Sequence, residues 1–461
     1  MDRRSVSQEA GPNVPKKGSD MARQRYFRLA VLGAAALVAA TMVTACGSSS
    51  SSSDASSGGS GSSSKVLNVT LANHVWTDAI KKKIPDFEKQ TGIKVTLTQL
   101  SEDQLADSYK VKLNAGSKDV DVMMYRPLQV GKLFASSSYF TDLTSNVKAD
   151  AAWNWADFQP GPVGVTTYKD KVVGVPIITE TEILYYRKDL LAKAGIKVPT
   201  TMAELKDAAK TISEQNPGVA GFVSRTQASA GVTQFSGFLY SFGGDWMDAN
   251  GKSAVDSDAA KQAYAYYGGL LHDYGPAQVT TDMSWPEAMA IFQQGKAAFE
   301  TDASSLYKNL SDPTKSKVSA ADVGYAPFPA GPGGSKPYNV AAWALGINAN
   351  SPNKDNAWKF IQWATSQDMT LSMQEAGVPS ARTSVWANPA ATKDMPPELV
   401  ASMAQNAKTG VGTDRPLVVN VAQAREIVGK PFVVGITGGD VNAAAADANK
   451  QFASLLESEP K

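Results

Sequence analysis

VLNVTLANHVWTDAIKKKIPDFEKQTGIKVTLTQLSEDQLADSYKVKLNAGSKDVDVMMY, residues Val66 to Tyr125, switches repeatedly between two hydrophobic periods. Val66 to Leu71, Ile93 to Leu97 and Val120 to Tyr125 are short apolar runs rich in β-branched residues and read as strands. Between them Ile80, Ile84 and Phe87 recur at helical spacing up to Gly92, and Leu105, Tyr109 and Leu113 line one face of a second helix. Thr77 or Asp78 suits the cap of the first helix, and Pro85 either kinks it or marks its real start. Ser101-Glu102-Asp103-Gln104 is a capping box for the second. Strand–helix–strand–helix–strand predicts right-handed crossovers and a largely parallel sheet covered on both faces. Ligands of such sheets sit outside the carboxyl ends of the strands. The loops Ala72 to Thr77 and Arg126 to Val130 are therefore the first place to seek functional side chains.

Upstream, Arg23, Arg25 and Arg28 precede the apolar run Leu29 to Val43 and then Thr44-Ala45-Cys46-Gly47. A basic start, a short apolar stretch and small residues mark a secretory signal, and the run is shorter than the ~20 residues that span a bilayer comfortably. Met21 opens a compact signal by itself, so translation starts at Met1 or Met21. Val43-Thr44-Ala45-Cys46 resembles a bacterial lipobox, which implies a lipid on Cys46 and a mature chain beginning there; a buried structural cysteine is the alternative. Residues 47–64 are almost only Ser and Gly and cannot bury apolar surface. They read as a flexible tether with a root-mean-square span of roughly 25 Å, holding a folded body at the extracellular face of the cell membrane.

The 461 residues leave room for two or three domains. With 45 basic and 44 acidic residues the net charge is +1, which argues against nucleic acid as a partner. One cysteine excludes an internal disulfide framework, and two histidines, His74 and His272, are too few for a structural zinc site. No EF-hand spacing appears, although a carboxylate calcium site is not excluded by counting. No metal or cofactor is expected. Downstream, 181–322 reads as mainly helical, with helices at Asp256 to His272 and Pro286 to Gln294. Val323 to Asn348 looks like sheet again, and helices dominate from Asp355 to the end. Helix-rich sequence between two strand-bearing parts predicts interleaved domains.

Several stretches resemble the family 1 extracellular solute-binding proteins, the maltose-binding-protein-like family. They are Val173-Gly174-Val175-Pro176 with Thr181-Glu182-Ile183-Leu184-Tyr185-Tyr186-Arg187-Lys188-Asp189-Leu190, Phe242-Gly243-Gly244, Phe292 to Phe299, Ala342-Trp343-Ala344-Leu345-Gly346-Ile347, and Gly377 to Arg382. Their order and spacing match the family across nearly all of Lys65 to Glu457, with a lean to the sugar- and polyol-binding lipoproteins of ABC importers. The resemblance implies an α/β fold of two lobes, type II among periplasmic binding proteins, with the ligand cleft between them and each lobe built from interleaved segments. Carried onto this chain, lobe one is 65–180 with 323–376, and lobe two is 181–322 with 377–461.

A sugar offers apolar C–H faces and a ring of hydroxyls, so its site needs aromatic planes with carboxylates, amides and arginines in fixed positions. His74 and Trp76 follow the first strand; Arg126, suited to a bidentate fork on vicinal hydroxyls, and Gln129 follow the third. Each has a bland alternative, such as sheet cover for Trp76 or a surface ion pair for Arg126. Asp245 and Trp246 follow a Gly-Gly turn, and Trp246 is as well suited to a core. Glu180 lies at the first lobe crossing, where the resemblance implies a cleft carboxylate; if the backbone stays extended, Glu182 faces the same side. The resemblance also implies cleft positions for Asp302, for Trp343 and, as in polyol binders, for Arg382. Trp358 and Trp363 read as core, and Trp153 and Trp155 as part of a polar loop. The expectation is a non-catalytic monomer that captures a sugar or polyol by lobe closure and delivers it to ABC permease subunits. Its rivals are a secreted carbohydrate-active enzyme using carboxylates such as Glu180 and Asp302, and a surface sensory or interaction lipoprotein.

Overall fold

A computed structural model describes residues 65–459; the expected signal segment, Cys46 and the Ser/Gly tether lie outside the described residues. Eight strands form one sheet: β1 (Val66–Ala72), β2 (Lys94–Leu100), β3 (Val122–Tyr125), β4 (Val175–Arg187), β5 (Ala220–Val223), β6 (Ala297–Ala303), β7 (Val323–Ala326) and β8 (Asn339–Ile347). Their order is β2-β1-β3-β8-β4-β6-β5, with β7 also paired to β4. β1 pairs parallel to β2 and β3, as the alternation predicts, and β5 parallel to β6. The sheet as a whole is mixed rather than largely parallel, because β8 runs antiparallel to β3 and β4, and β4 antiparallel to β6 and β7. β8 reaches β3 from some 200 residues away, so no short helical crossover dictates its direction.

Local signals set the first elements. The expected first helix is two: α1 (Val75–Lys81) and α2 (Ile84–Thr91), with Pro85 in the first turn of α2, where its missing N–H costs nothing. Gly92 ends α2 at φ +70°. The cap of α1 is neither Thr77 nor Asp78 but His74, whose Nδ1 accepts the Trp76 N–H at 3.1 Å. α3 (Glu102–Asn114) opens on the expected box, with Gln104 N–H on Ser101 Oγ at 3.3 Å and Ser101 N–H on Gln104 Oε1 at 3.1 Å.

Apolar side chains collect in two principal cores, and these are the two lobes. The first takes Leu67, Phe87, Met123 and Ile178, then Trp343, Ile361 and Ala381. The second, in two adjoining clusters, takes Leu184, Phe222, Phe235 and Phe299, then Val428 and Phe452, together with Ile183, Phe292 and Met403. The chain stays in the first core through Val378 and Ala381, slightly past Gly377. The single strand β4 passes from one core to the other, contributing Ile178 to the first and Ile183 and Leu184 to the second. The stretch expected to be mainly helical thus carries half of β4, β5 and β6. β5 is four residues long and contains Gly221, too short to show a period. Gly221 is required there, since a Cβ would fall 2.1 Å from the Ala209 carbonyl oxygen of the covering helix Met202–Gln215.

Candidate functional site between the lobes

Where β4 and β8 cross between the cores, Asn339 lies opposite Thr181, Val340 opposite Glu180 and Ala341 opposite Thr179. Strand alternation therefore turns Glu180 and Val340 to one face, here the front, and Thr179, Thr181 and Asn339 to the back. The β8 register slips on both sides of Trp343, and such irregularities re-aim a side chain. The indole lies against the His74 ring (centroids 5.8 Å apart, planes at 57°) and under the Arg126 guanidinium, 5.8 Å from its centroid. Trp343, Arg126, Gln129, Tyr109 and Tyr125 line a cavity of about 310 Å³. The buried Tyr125 hydroxyl finds no partner among the described residues.

Glu180 joins this group to the second lobe. Ser305 Oγ, just past β6, donates to its Oε1 at 2.8 Å. Burial pushes the Glu180 carboxyl up, and Ser305, Arg126 and Arg225 pull against it. Arg225 in turn grips Asp302 with two bonds, Nη2 to Oδ1 at 2.7 Å and Nε to Oδ2 at 3.2 Å, and Gln234 Nε2 donates to the same Oδ1 at 2.8 Å. Gln234 sits on α4 (Ala228–Ser241) and also donates to the Tyr338 hydroxyl at 3.2 Å. Glu180 thus stands between two pairs, Trp343 with Arg126 on the first lobe and Arg225 with Asp302 on the second, and its carboxyl feels the charge of both guanidiniums. At its edge the lobes touch directly. Arg415 Nη1 donates to Gln129 Oε1 at 3.0 Å, and Lys132 Nζ donates to the Leu417 carbonyl at 3.0 Å and to Glu459 at 2.8 Å. Leu417 packs with Leu128, Tyr338 and Val340, which puts this clasp on the front.

Four candidates stand elsewhere. Arg382 is fully buried and each of its guanidinium nitrogens is engaged: Nε to Thr365 O at 2.8 Å, Nη2 to Trp153 O at 2.7 Å, and Nη1 to Asn154 O and Asp157 Oδ2, both at 3.1 Å. Its plane covers Phe158 at 4.2 Å, so it fastens the segment 153–158 instead of facing a solute. That also corrects the reading of Trp153 as part of a polar loop: it is buried and stacks on Trp155. Trp246 lies in the second core, its Nε1 donating to the Tyr240 hydroxyl at 2.8 Å, and Trp76 lies in the first. Asp245 sits on an exposed turn and accepts its neighbour's N–H at 2.6 Å. Trp358 is core, as expected, and Trp363 packs against it. Sequence reasoning missed Arg225, Gln234, Ser305, Tyr338 and Arg415. Arg225 was within reach, because it follows the carboxyl end of β5 as Arg126 follows that of β3.

Glu182 shares the front-facing parity of Glu180 but is wholly buried in the second lobe, where a Cβ on residue 237 would sit 2.2 Å from its Oε2; only the glycine found there fits. The carboxyl oxygens of Glu182 and of the equally buried Glu300 meet no hydrogen-bond partner among the described residues. Burial, reinforced by Asp302, pushes both well above the ordinary carboxylate range. Raised carboxyls hold protons that the unfolded chain releases, so their stabilising contribution is complete below the ordinary carboxylate pKa and is lost as pH rises through the folded values. Urea unfolding between about pH 5 and 9 should therefore show stability falling with pH by up to about 1.4 kcal/mol per unit per group. The double variant Glu182→Gln, Glu300→Gln should flatten that slope; parallel profiles for the two proteins contradict it.

An α/β protein of two lobes that share crossing strands, with acidic, guanidinium and aromatic groups from both lobes meeting in front of those strands, is built as a two-lobe solute-binding protein. The chain belongs to the family of bacterial extracellular solute-binding proteins, which it matches over residues 73–370. A probable ABC transporter-binding protein of Deinococcus radiodurans is 32% identical over 297 residues, covering 62% of this chain and 69% of the relative. A mannitol-binding protein of Pseudomonas aeruginosa is 31% identical over 227 residues, 48% of this chain and 51% of that protein, so this chain spans about half its length. Among solved structures, maltose-bound MalE3 of T. maritima superposes with a TM-score of 0.70 at 30% identity, covering 84% of this chain and all of that one. Solved structures of ABC transporter solute-binding proteins at 26% identity include one in complex with ribitol and one with bound D-mannitol.

Proposed function

We propose that the protein captures a sugar or polyol between its lobes, closes on it, and hands it to the membrane subunits of an ABC importer while held at the outer membrane face by a lipid on Cys46. One observation carries this reading: around Glu180 at the crossing, Trp343 and Arg126 from one lobe and Arg225 and Asp302 from the other combine an aromatic plane with carboxylates and guanidinium forks. That is the chemistry a polyhydroxylated ligand needs. A ligand touching both lobes binds one arrangement better than the other and so shifts their equilibrium. The mannitol- and maltose-binding relatives supply the solute class. The proposed role is binding without turnover; Glu180 and Asp302 are engaged by Ser305 and Arg225 in holding a site together.

The deciding experiment is a thermal-shift screen of the purified protein against hexitols, pentitols and maltose-type sugars. A solute at about 100 times its Kd should stabilise the protein by about 2.7 kcal/mol. A screen in which no carbohydrate raises the melting temperature while a peptide or an ion does would refute the solute class. In the same preparation Cys46→Ser should release the protein into the medium with binding intact; a variant that stays with the membrane removes the tether from the proposal.

A further inference from the structure

On the back of the crossing strands lies a second cavity, of about 470 Å³, that shares no residue with the site above. Its walls are apolar: Trp386, Val400, Met403, Ala404 and Ala407 on one side, the last four on α5 (Pro397–Thr409), and Pro160 on the other. Met403 belongs to the second-lobe core, and Phe158 and Val163, flanking Pro160, to the first, so both lobes wall it. The floor is the back-facing set predicted by strand parity, and each of its side-chain donor atoms is already engaged. Thr179 Oγ1 donates to Ser380 O at 2.9 Å, Thr181 Oγ1 to Tyr338 O at 3.0 Å, and Asn339 Nδ2 to Gln159 Oε1 at 3.2 Å. The Trp386 indole N–H is held by Ser380 O at 2.8 Å. A hydroxylated solute would find little to bond there, whereas an apolar body would bury freely. One charged side chain lines the cavity, Lys408; its ammonium meets Gln405 Oε1 at 3.4 Å and pairs with no carboxylate among the described residues.

We propose that this cavity is an effector site for a small amphiphile with an apolar chain and one anionic end, of the medium-chain carboxylate type, and that its occupation favours closed lobes. Complementarity selects the ligand: the chain for the Trp386–Met403 walls, the carboxylate for Lys408. Geometry gives the sign of the coupling. The strands lie between the front and the back, so a swing that opens one side narrows the other. In the present arrangement the front is clasped through Gln129–Arg415 and Lys132–Leu417 while the back stands open. A molecule wedged behind resists the opening of the front, and by linkage solute in front tightens the effector behind. The coupling rests on the lobe-closure reading above; the site itself does not.

The test uses the whole protein with decanoate as probe. Calorimetric titration should show saturable binding of one decanoate without carbohydrate, and small-angle scattering should show the protein compacting as it binds. Ala404→Trp, at an exposed position on the cavity wall, should abolish binding. Lys408→Glu, on the surface, should weaken decanoate about tenfold and leave 1-decanol unaffected. Saturating decanoate should raise carbohydrate affinity about fivefold or more. No saturable binding, or binding that survives Ala404→Trp, overturns the site; binding that leaves both scattering and carbohydrate affinity unchanged overturns the coupling. If no carbohydrate binds at all, the solute reading has failed, and decanoate binding with its compaction still decides this one.

Discussion

Arg382→Ala should lower the unfolding free energy by about 3–5 kcal/mol, among the largest losses any single substitution in this chain can cause. The guanidinium replaces water for three backbone carbonyls, Thr365, Asn154 and Trp153, and for the Asp157 carboxylate. Truncation leaves these acceptors without donors in a site closed to solvent and opens a void against Phe158. Asp157 retains its bonds from the Ser384 N–H at 2.8 Å and hydroxyl at 2.6 Å, so the loss stays short of a stranded bare charge. Asp157, which those bonds help hold below the ordinary carboxylate range, would rise towards it. Urea unfolding decides the matter, and a change below about 1 kcal/mol would return Arg382 to the list of solute contacts.

Trp343→Ala should weaken carbohydrate binding by about 2–4 kcal/mol, roughly 30- to 1,000-fold. The indole is the largest of the aromatic planes that line the front cavity, beside Tyr109 and Tyr125, and it packs on both Arg126 and His74. It is also buried in the first core, so stability falls too. Trp246→Ala supplies the control, because that tryptophan is buried in the other core and lines no part of the front cavity. Both variants should lose stability, but only the first should lose affinity. Equal affinities, measured by calorimetry under conditions where each variant is folded, would remove Trp343 from the site.

The fold was legible because its signals are local. The β1–β3 alternation, the Ser101–Gln104 box and the Gly92 stop are written within a few residues of where they act. The mixed sheet was not, because the direction of β8 depends on strands that arrive from distant sequence. In the site, Glu180 and Trp343 were reached through the family resemblance, which puts the first at a lobe crossing and the second in the cleft. Arg225, Gln234 and Arg415 were not, since each acquires meaning from a partner 68 to 286 residues away. Arg382 was misread for the same reason: nothing near it in sequence announces that 153–158 will fold over it. His74 was legible as a site candidate from its place after the first strand, but its capping role was not, because α1 begins before Thr77.

The join between the lobes is a hydrogen-bonded ladder of β4 and β8 that slips register around Trp343, rather than a pair of loose linkers. A ladder of that kind behaves as a torsion bar. Rotation of one half against the other is absorbed as a few degrees of added twist over many residues, with no peptide forced through a forbidden conformation. Such a bar returns elastically, so emptying the protein needs no separate input of energy to reset it. The slip also puts the compliant point of the bar under the indole itself, so the residue proposed to meet the cargo is the one that feels the strain.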